Sequence, residues 1–277
     1  MKIQYLGTAA SEAIPAIFCH CDLCNKARKL GGKDIRGRAG IIINDTAAID
    51  FPPDAYMNSL KFNIDLGNVR DIFVTHSHED HFAVDELMFR TEGVYCHLEN
   101  EIPKRINIFG NEAIGLKLEK FVGRLDFFNY TKTEYYKTYT AENGLKFTFI
   151  PARHMMGKGE NCGMYIVESP DNKTMLYAHD SGVFYDEIFE YLKKYRFDFI
   201  SIDCCFGALS GGLSGHMGMP ENKKMIDKMR AIGSVDRDTK IVVHHFSHNA
   251  NMLHSELIEA AKPYGFEVAF DGMIIEI

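Results

Sequence analysis

Seven consecutive residues, Thr75-His76-Ser77-His78-Glu79-Asp80-His81, limit what this 277-residue chain can become more than any other feature. They stand directly behind the apolar stretch Asp71–Val74, which reads as a strand. Alternate side chains of an extended segment point the same way, so His76 and His78 can face one ion. The chain is then expected to turn into a helix near Phe82. Asp80 and His81, at that turn, are aimed differently and suit a second ion nearby. Imidazole and carboxylate ligands favour zinc, manganese or iron. One ion would acidify a bound water, and two ions about 3.5–4 Å apart would hold a bridging hydroxide between them. A lone histidine behind a strand is usually solvated or satisfied in a core. Four metal-type residues within six positions are a different matter.

Other apolar runs repeat the pattern at smaller scale. Short stretches rich in β-branched and aromatic residues include Ile3–Leu6, Ile41–Ile43, Ala47–Ile49, Ile106–Phe109, Phe147–Ile150, Met164–Val167, Met175–Tyr177, Phe199–Ile202, Ile241–Val243 and Phe266–Phe270. Helical spacing marks Val84–Phe89, Ile114–Val122, Glu187–Tyr195, Glu221–Ile232 and Asn251–Lys262, with Pro220 and Glu221 as a helix start. Strands dominate the first part in meander fashion. The order fits an α/β (α+β) fold of two mixed sheets packed face to face with helices outside, spanning residues 1–277 as one domain. Three further metal-type residues follow strands: His154 after Phe147–Ile150, Asp180 after Met175–Tyr177 and His245 after Ile241–Val243. Taken singly, each is as readily an ordinary loop residue.

Cys19, Cys21 and Cys24 form a C-x-C-x-x-C motif in a loop at about 15–30. The seven cysteines are odd in number, and the N-terminus Met1–Gly7 has no apolar h-region, so a disulfide framework is not expected. Three thiolates in six residues suit a closed zinc site, whose fourth ligand must come from elsewhere. The net charge of −7, without a basic stripe, disfavours nucleic acid as a partner. No apolar stretch is long enough to span a membrane, and a cytoplasmic location is expected.

The run at 75–81 matches the signature of the metallo-β-lactamase superfamily, and the resemblance covers essentially the whole chain. It implies a four-layer αββα sandwich and a hydrolase. It implies that His76, His78 and His154 bind one metal, that Asp80, His81 and His245 bind the other, and that Asp180 bridges them. Asp50, in Ile49-Asp50, matches the acid that supports the ligand loop. The cysteine loop resembles the phosphoribosyl cyclic phosphodiesterase subfamily of the bacterial phosphonate pathway. Leu6-Gly7-Thr8, Pro15, Cys19–Cys24 and His245-Phe246-Ser247-His248 follow its order. That likeness implies a structural zinc on Cys19, Cys21, Cys24 and His248, and His216 as a catalytic residue beside Asp80. The implied substrate is a small phosphodiester, including cyclic ones; a homodimer is compatible with the sequence, which does not fix the oligomeric state. Ala9–Ile14, Phe51-Pro52-Pro53 and Gly207–Gly215 depart from the subfamily pattern and put the substrate in doubt. The rivals are a thioester, lactone or transfer-RNA-processing hydrolase of the same fold, or a non-catalytic metal-binding or cofactor-pathway protein. His20, His97, His179, His244, His254, Cys204, Cys205, Met155-Met156 and the aromatic group Tyr130–Tyr139 are read as packing or solvated groups.

Overall fold

A strand that is apolar at every position must bury both of its faces. In the computed structural model, which describes residues 1–154, 159–212 and 215–277, the apolar runs do this in two seven-stranded sheets. The first holds β1 (Lys2–Gly7), β2 (Gly40–Ile43), β3 (Ala47–Ile49), β4 (Asp71–Phe73), β5 (Ile106–Gly110) and β6 (Phe128–Lys132) in that order, with β14 (Ile274–Glu276) outside β1. The second holds β7 (Thr138–Thr140), β8 (Lys146–Pro151), β9 (Gly163–Glu168), β10 (Thr174–Ala178), β11 (Phe199–Asp203), β12 (Lys240–His244) and β13 (Glu267–Val268), also side by side in chain order.

Side-chain alternation assigns each residue to a layer. Ile3, Tyr5, Ile41, Ile43 and Phe73 of the first sheet meet Phe147, Phe149, Tyr165, Met175, Tyr177 and Phe199 of the second in one core. Phe73 stacks on Phe109 and Phe147, with ring centroids 4.4 and 3.6 Å away. The alternate residues Ile42, Ile72 and Ile108 turn outward to α2 (Ala55–Phe62), α3 (Val84–Leu87) and α4 (Glu112–Leu118). Ile150, Met164, Ile166, Leu176, Ile200 and Val243 turn outward to α5 (Asp186–Leu192), α6 (Met219–Ala231) and α7 (His254–Ala261). The result is the expected four-layer αββα sandwich.

Strand direction gathers the functional residues. β10, β11 and β12 are parallel, and β9 runs antiparallel to both β8 and β10. The carboxyl ends of β8, β10, β11 and β12 therefore open at one edge. The meander expected for the first part holds only for β1–β3; β3 to β6 are parallel and need crossover helices. One of these, α2, has no clear apolar stripe, since its buried residues are Ala55, Asn58 and Ser59. The cysteine segment is a loop only as far as Cys21. Beyond it α1 (Asp22–Leu30) buries Leu23, Cys24 and Ala27 one turn apart. Pro220 and Glu221 lie in the first turn of α6, where Glu221 accepts from the Gly218 and Gly211 amides at 3.2 and 2.9 Å. Met155-Met156 and residues 213–214 of the loop Gly207–Gly218 lie outside the described residues.

Candidate metal centre

The structure brings every one of the expected ligands together at the open edge. His76 Nε2 lies 2.8 Å from His78 Nδ1, and His154 Nε2 lies 3.4 Å from the same atom. Asp180 Oδ2 is 3.4 Å from His76 Nε2 and 2.6 Å from His81 Nε2, so one carboxylate faces both halves of the cluster. His81 Nε2 is 3.0 Å from Asp80 Oδ2, and His245 Nε2 is 3.4 Å from Asp180 Oδ1. The sets His76, His78, His154, Asp180 and Asp80, His81, Asp180, His245 each place their donor atoms within 4.8 Å of one another.

The donors are also unspent. His81 Nε2 and both nitrogens of His245 are buried and face carboxylate oxygens of Asp180 and Asp203 without a hydrogen bond of good geometry among the described residues. Orphaned polar atoms of this kind are costly unless something binds them. Burial alone would raise Asp180, yet His245 and His81 beside it hold its carboxyl well below the usual range. The donor chemistry fits a pair of divalent cations.

Three residues reach these places through left-handed backbone at strand ends: Asp50 (φ 62°), Asp180 (φ 48°) and His245 (φ 63°). Such conformations cost energy for a residue with a Cβ and concentrate at functional sites. Asp50 is fully buried behind the ligand loop. Its Oδ1 accepts the Thr75 amide at 2.8 Å, and its Oδ2 lies 2.9 Å from His81 Nδ1 and 2.9 Å from His179 Nε2. Engaging Nδ1 of His81 leaves Nε2 for an ion. His179 is thus part of the scaffold behind the ligands, while His244 bonds Ser201 Oγ at 3.1 Å inside the core.

Four residues of the site were not singled out from the sequence. Asp203 ends β11 and is fully buried; its Oδ2 lies 3.0 Å from His216 Nδ1 and 3.3 Å from His245 Nδ1. Burial disfavours the imidazolium of His216, but Asp203 and then Asp180 push it up to about 9. Glu160 holds the ligand loop from the other side, accepting the Ser77 amide and hydroxyl at 2.8 and 2.7 Å. Cys205, read as an inert buried thiol, is buried but lines the pocket and shares it with Glu12. Asp203 carried the same signal as Asp50 and Asp180, an acid behind an apolar run. Glu160 carried none.

The second cluster joins the two ends of the chain. Nδ1 of His248 lies 3.5, 3.6 and 3.6 Å from Sγ of Cys19, Cys21 and Cys24. Tetrahedral zinc with ordinary Zn–S and Zn–N bonds would separate sulfur and nitrogen by roughly 3.6 Å. A hydrogen bond with His248 draws the Cys21 thiol down to about 6, whereas burial pushes the Cys24 thiol up to about 11. Arg28 ties the loop by donating to the Cys19 carbonyl at 2.7 Å.

A sequence profile described as beta-lactamase superfamily domain matches residues 53–245. The chain belongs to the metallo-β-lactamase superfamily and has its fold. Across 283 aligned residues, 99% of this chain, it is 26% identical to a Porphyromonas gingivalis protein named octanoyltransferase, of which the match covers 51%. The chain spans about half the length of the curated relatives it matches. Its fold resembles the crystal structure of a diphosphatase from the PhnP family, with a TM-score of 0.75, 20% identity and 100% and 97% of the two chains covered. It also resembles zinc-bound PqqB from Methylobacterium extorquens, with a TM-score of 0.74, 15% identity and 100% of both chains covered. Among the described residues no helix is long and apolar enough to cross a membrane.

Proposed function

We propose that this chain is a metal-dependent phosphodiesterase acting on a small phosphodiester. The observation that supports this reading best is the Asp203–His216 pair, with Nδ1 held at 3.0 Å, at the lip of the two ligand groups. His76, His78 and His154 would hold one divalent ion, Asp80, His81 and His245 the other, and Asp180 would stand between them. Cys19, Cys21, Cys24 and His248 would hold a structural zinc. When bound, the ion pair supplies Lewis acidity toward the phosphoryl oxygens and acidifies water. His216 keeps its proton because Asp203 engages Nδ1, and it delivers the Nε2 proton to the departing alkoxide oxygen. Asp80 lines the pocket, and with Oδ2 turned to His81 its Oδ1 orients the attacking water. The pocket volume, about 300 Å³, favours a small substrate.

The test is a substrate panel on protein loaded with zinc or manganese, with metal counted per chain. Hydrolysis of bis(p-nitrophenyl) phosphate with three metals bound is the expected result. Cleavage of a thioester or lactone with no phosphodiester turned over would sink the reading.

A second reading, hydrolysis of an acyl thioester, has one observation in its favour. The relative matched along 99% of this chain is named for transfer of an octanoyl group. A cavity of about 430 Å³ begins at Phe51, beside Asp50, and is walled by Pro53, Tyr56, Leu87 and Phe89. An octanoyl thioester therefore belongs in the same panel.

A further inference from the structure

The loop Ala9–Ile14 departs from the resembled subfamily, and it forms a wall of the pocket through Ala10, Ser11 and Glu12. It is firmly placed. The Ala10 amide donates to the Phe246 carbonyl and the Ile14 amide to the Arg36 carbonyl, each at 2.9 Å, and Arg38 Nε donates to the Ser11 carbonyl at 2.8 Å. Ala13 adopts left-handed backbone at φ 63°, which turns the loop back after Glu12. Glu12 Oε1 accepts a hydrogen bond from Ser247 Oγ and lies 3.9 Å from His248 Nε2. The carboxylate is thereby fixed between the pocket and the thiolate cluster. Among the described residues lining the pocket there is no lysine or arginine.

We propose that Glu12 selects the part of the substrate that lies away from the ligand cluster. A carboxylate accepts hydrogen bonds from hydroxyl groups and repels a second phosphate. This rests on the phosphodiesterase reading and narrows it to a hydroxylated, sugar-like phosphodiester that carries no additional phosphate. Ser11, Ser247 and Asn249, which line the same pocket, add polar groups suited to such a ring.

Metal-loaded wild type and E12Q are compared on adenosine 2′,3′-cyclic phosphate and its 5′-phosphorylated form, with bis(p-nitrophenyl) phosphate as a plain diester. Glutamine keeps an acceptor for Ser247 Oγ, so the substitution removes charge and little else. The wild type is expected to favour the form without the 5′-phosphate in kcat/KM. E12Q is expected to shift that ratio toward the 5′-phosphorylated form by about tenfold, the effect of removing one like-charge contact. Calorimetric Kd values for adenosine 3′-monophosphate and adenosine 3′,5′-bisphosphate are expected to shift in the same sense, and they decide the matter if neither cyclic nucleotide is turned over. Ratios unmoved by E12Q overturn the role of Glu12 while bis(p-nitrophenyl) phosphate cleavage keeps the phosphodiesterase reading alive. Failure of the wild type on every diester removes that reading and this inference with it.

Discussion

Asp203, Asp50 and Asp180 show how single residues acquire their chemistry here. Each stands at or just behind the end of a strand, and each binds a histidine that sequence distance hides. The candidate ligands were legible because their residue types either cluster, as at His76–His81, or follow apolar runs, as at His154, Asp180 and His245. Glu160 was not legible: it reaches the Ser77 amide across 83 positions, and only the crossing of two loops decides that contact. The Asp203–His216 pair makes a prediction at this scale. If His216 protonates the leaving oxygen, H216A lowers kcat on an alkyl-leaving diester by roughly 10²–10⁴-fold. The loss is expected to be much smaller on bis(p-nitrophenyl) phosphate, whose leaving group departs without a proton. Equal losses on both substrates would rule out a donor role, and steady-state kinetics on the pair settle it.

At the scale of elements, strands were easier to read than helices. Apolar runs such as Met164–Val167 and Met175–Tyr177 bury both faces, so their composition alone marks them. α2 escaped because it buries Asn58 and Ser59 rather than an apolar stripe. α1 escaped because its short inward face, Leu23, Cys24 and Ala27, lies inside a motif read as a metal loop. The edge strands β6 and β7 were taken as an aromatic patch. Tyr135 and Tyr139 indeed pack against the core between the sheets, but β6 and β7 are short, no residue in them is fully buried, and their alternation is too brief to stand out from the aromatic residues around it. The fixing of α1 by its cysteines is testable. If Cys19, Cys21, Cys24 and His248 hold a zinc as proposed, C21S is expected to lose one metal per chain and to lower Tm by about 5 °C or more, because a closed zinc site contributes folding energy directly. Metal analysis with calorimetry measures both, and an unchanged metal count would remove the thiolate site.

At the scale of the molecule, the layer order followed from apolar patterning, whereas the parallel pairing of β3 to β6 did not, since register depends on partners far away in sequence. A buried polar network also escaped notice. Arg36 donates to Thr8 Oγ1 at 2.8 Å and to the Ala269 carbonyl at 2.6 Å, and it lies 2.8 Å from His254 Nδ1. Asp271 accepts from Thr8 Oγ1 at 2.7 Å and from the Gly37 amide at 2.6 Å. Burial pushes Asp271 up to about 6, and burial together with Arg36 draws His254 down to about 4. A raised acid favours the folded state fully below its unfolded value and loses that contribution as pH climbs through its folded value. The depressed histidine has the opposite trend over a similar window, so the two oppose each other in the wild type. D271N removes one of them. Its stability relative to wild type is expected to rise by roughly 3 kcal/mol between pH 3.5 and 7, about two pKa units' worth. Urea denaturation of both proteins across that range measures it, and a flat difference would place the carboxyl elsewhere. The thiolate cluster spans the chain more widely still, since Cys19 and His248 stand 229 positions apart. At ordinary translation rates the thiols leave the ribosome roughly ten to forty seconds before the imidazole that completes their set. An ion held by Cys19, Cys21 and Cys24 on the nascent chain would therefore wait for most of the sandwich before His248 could complete its ligand set.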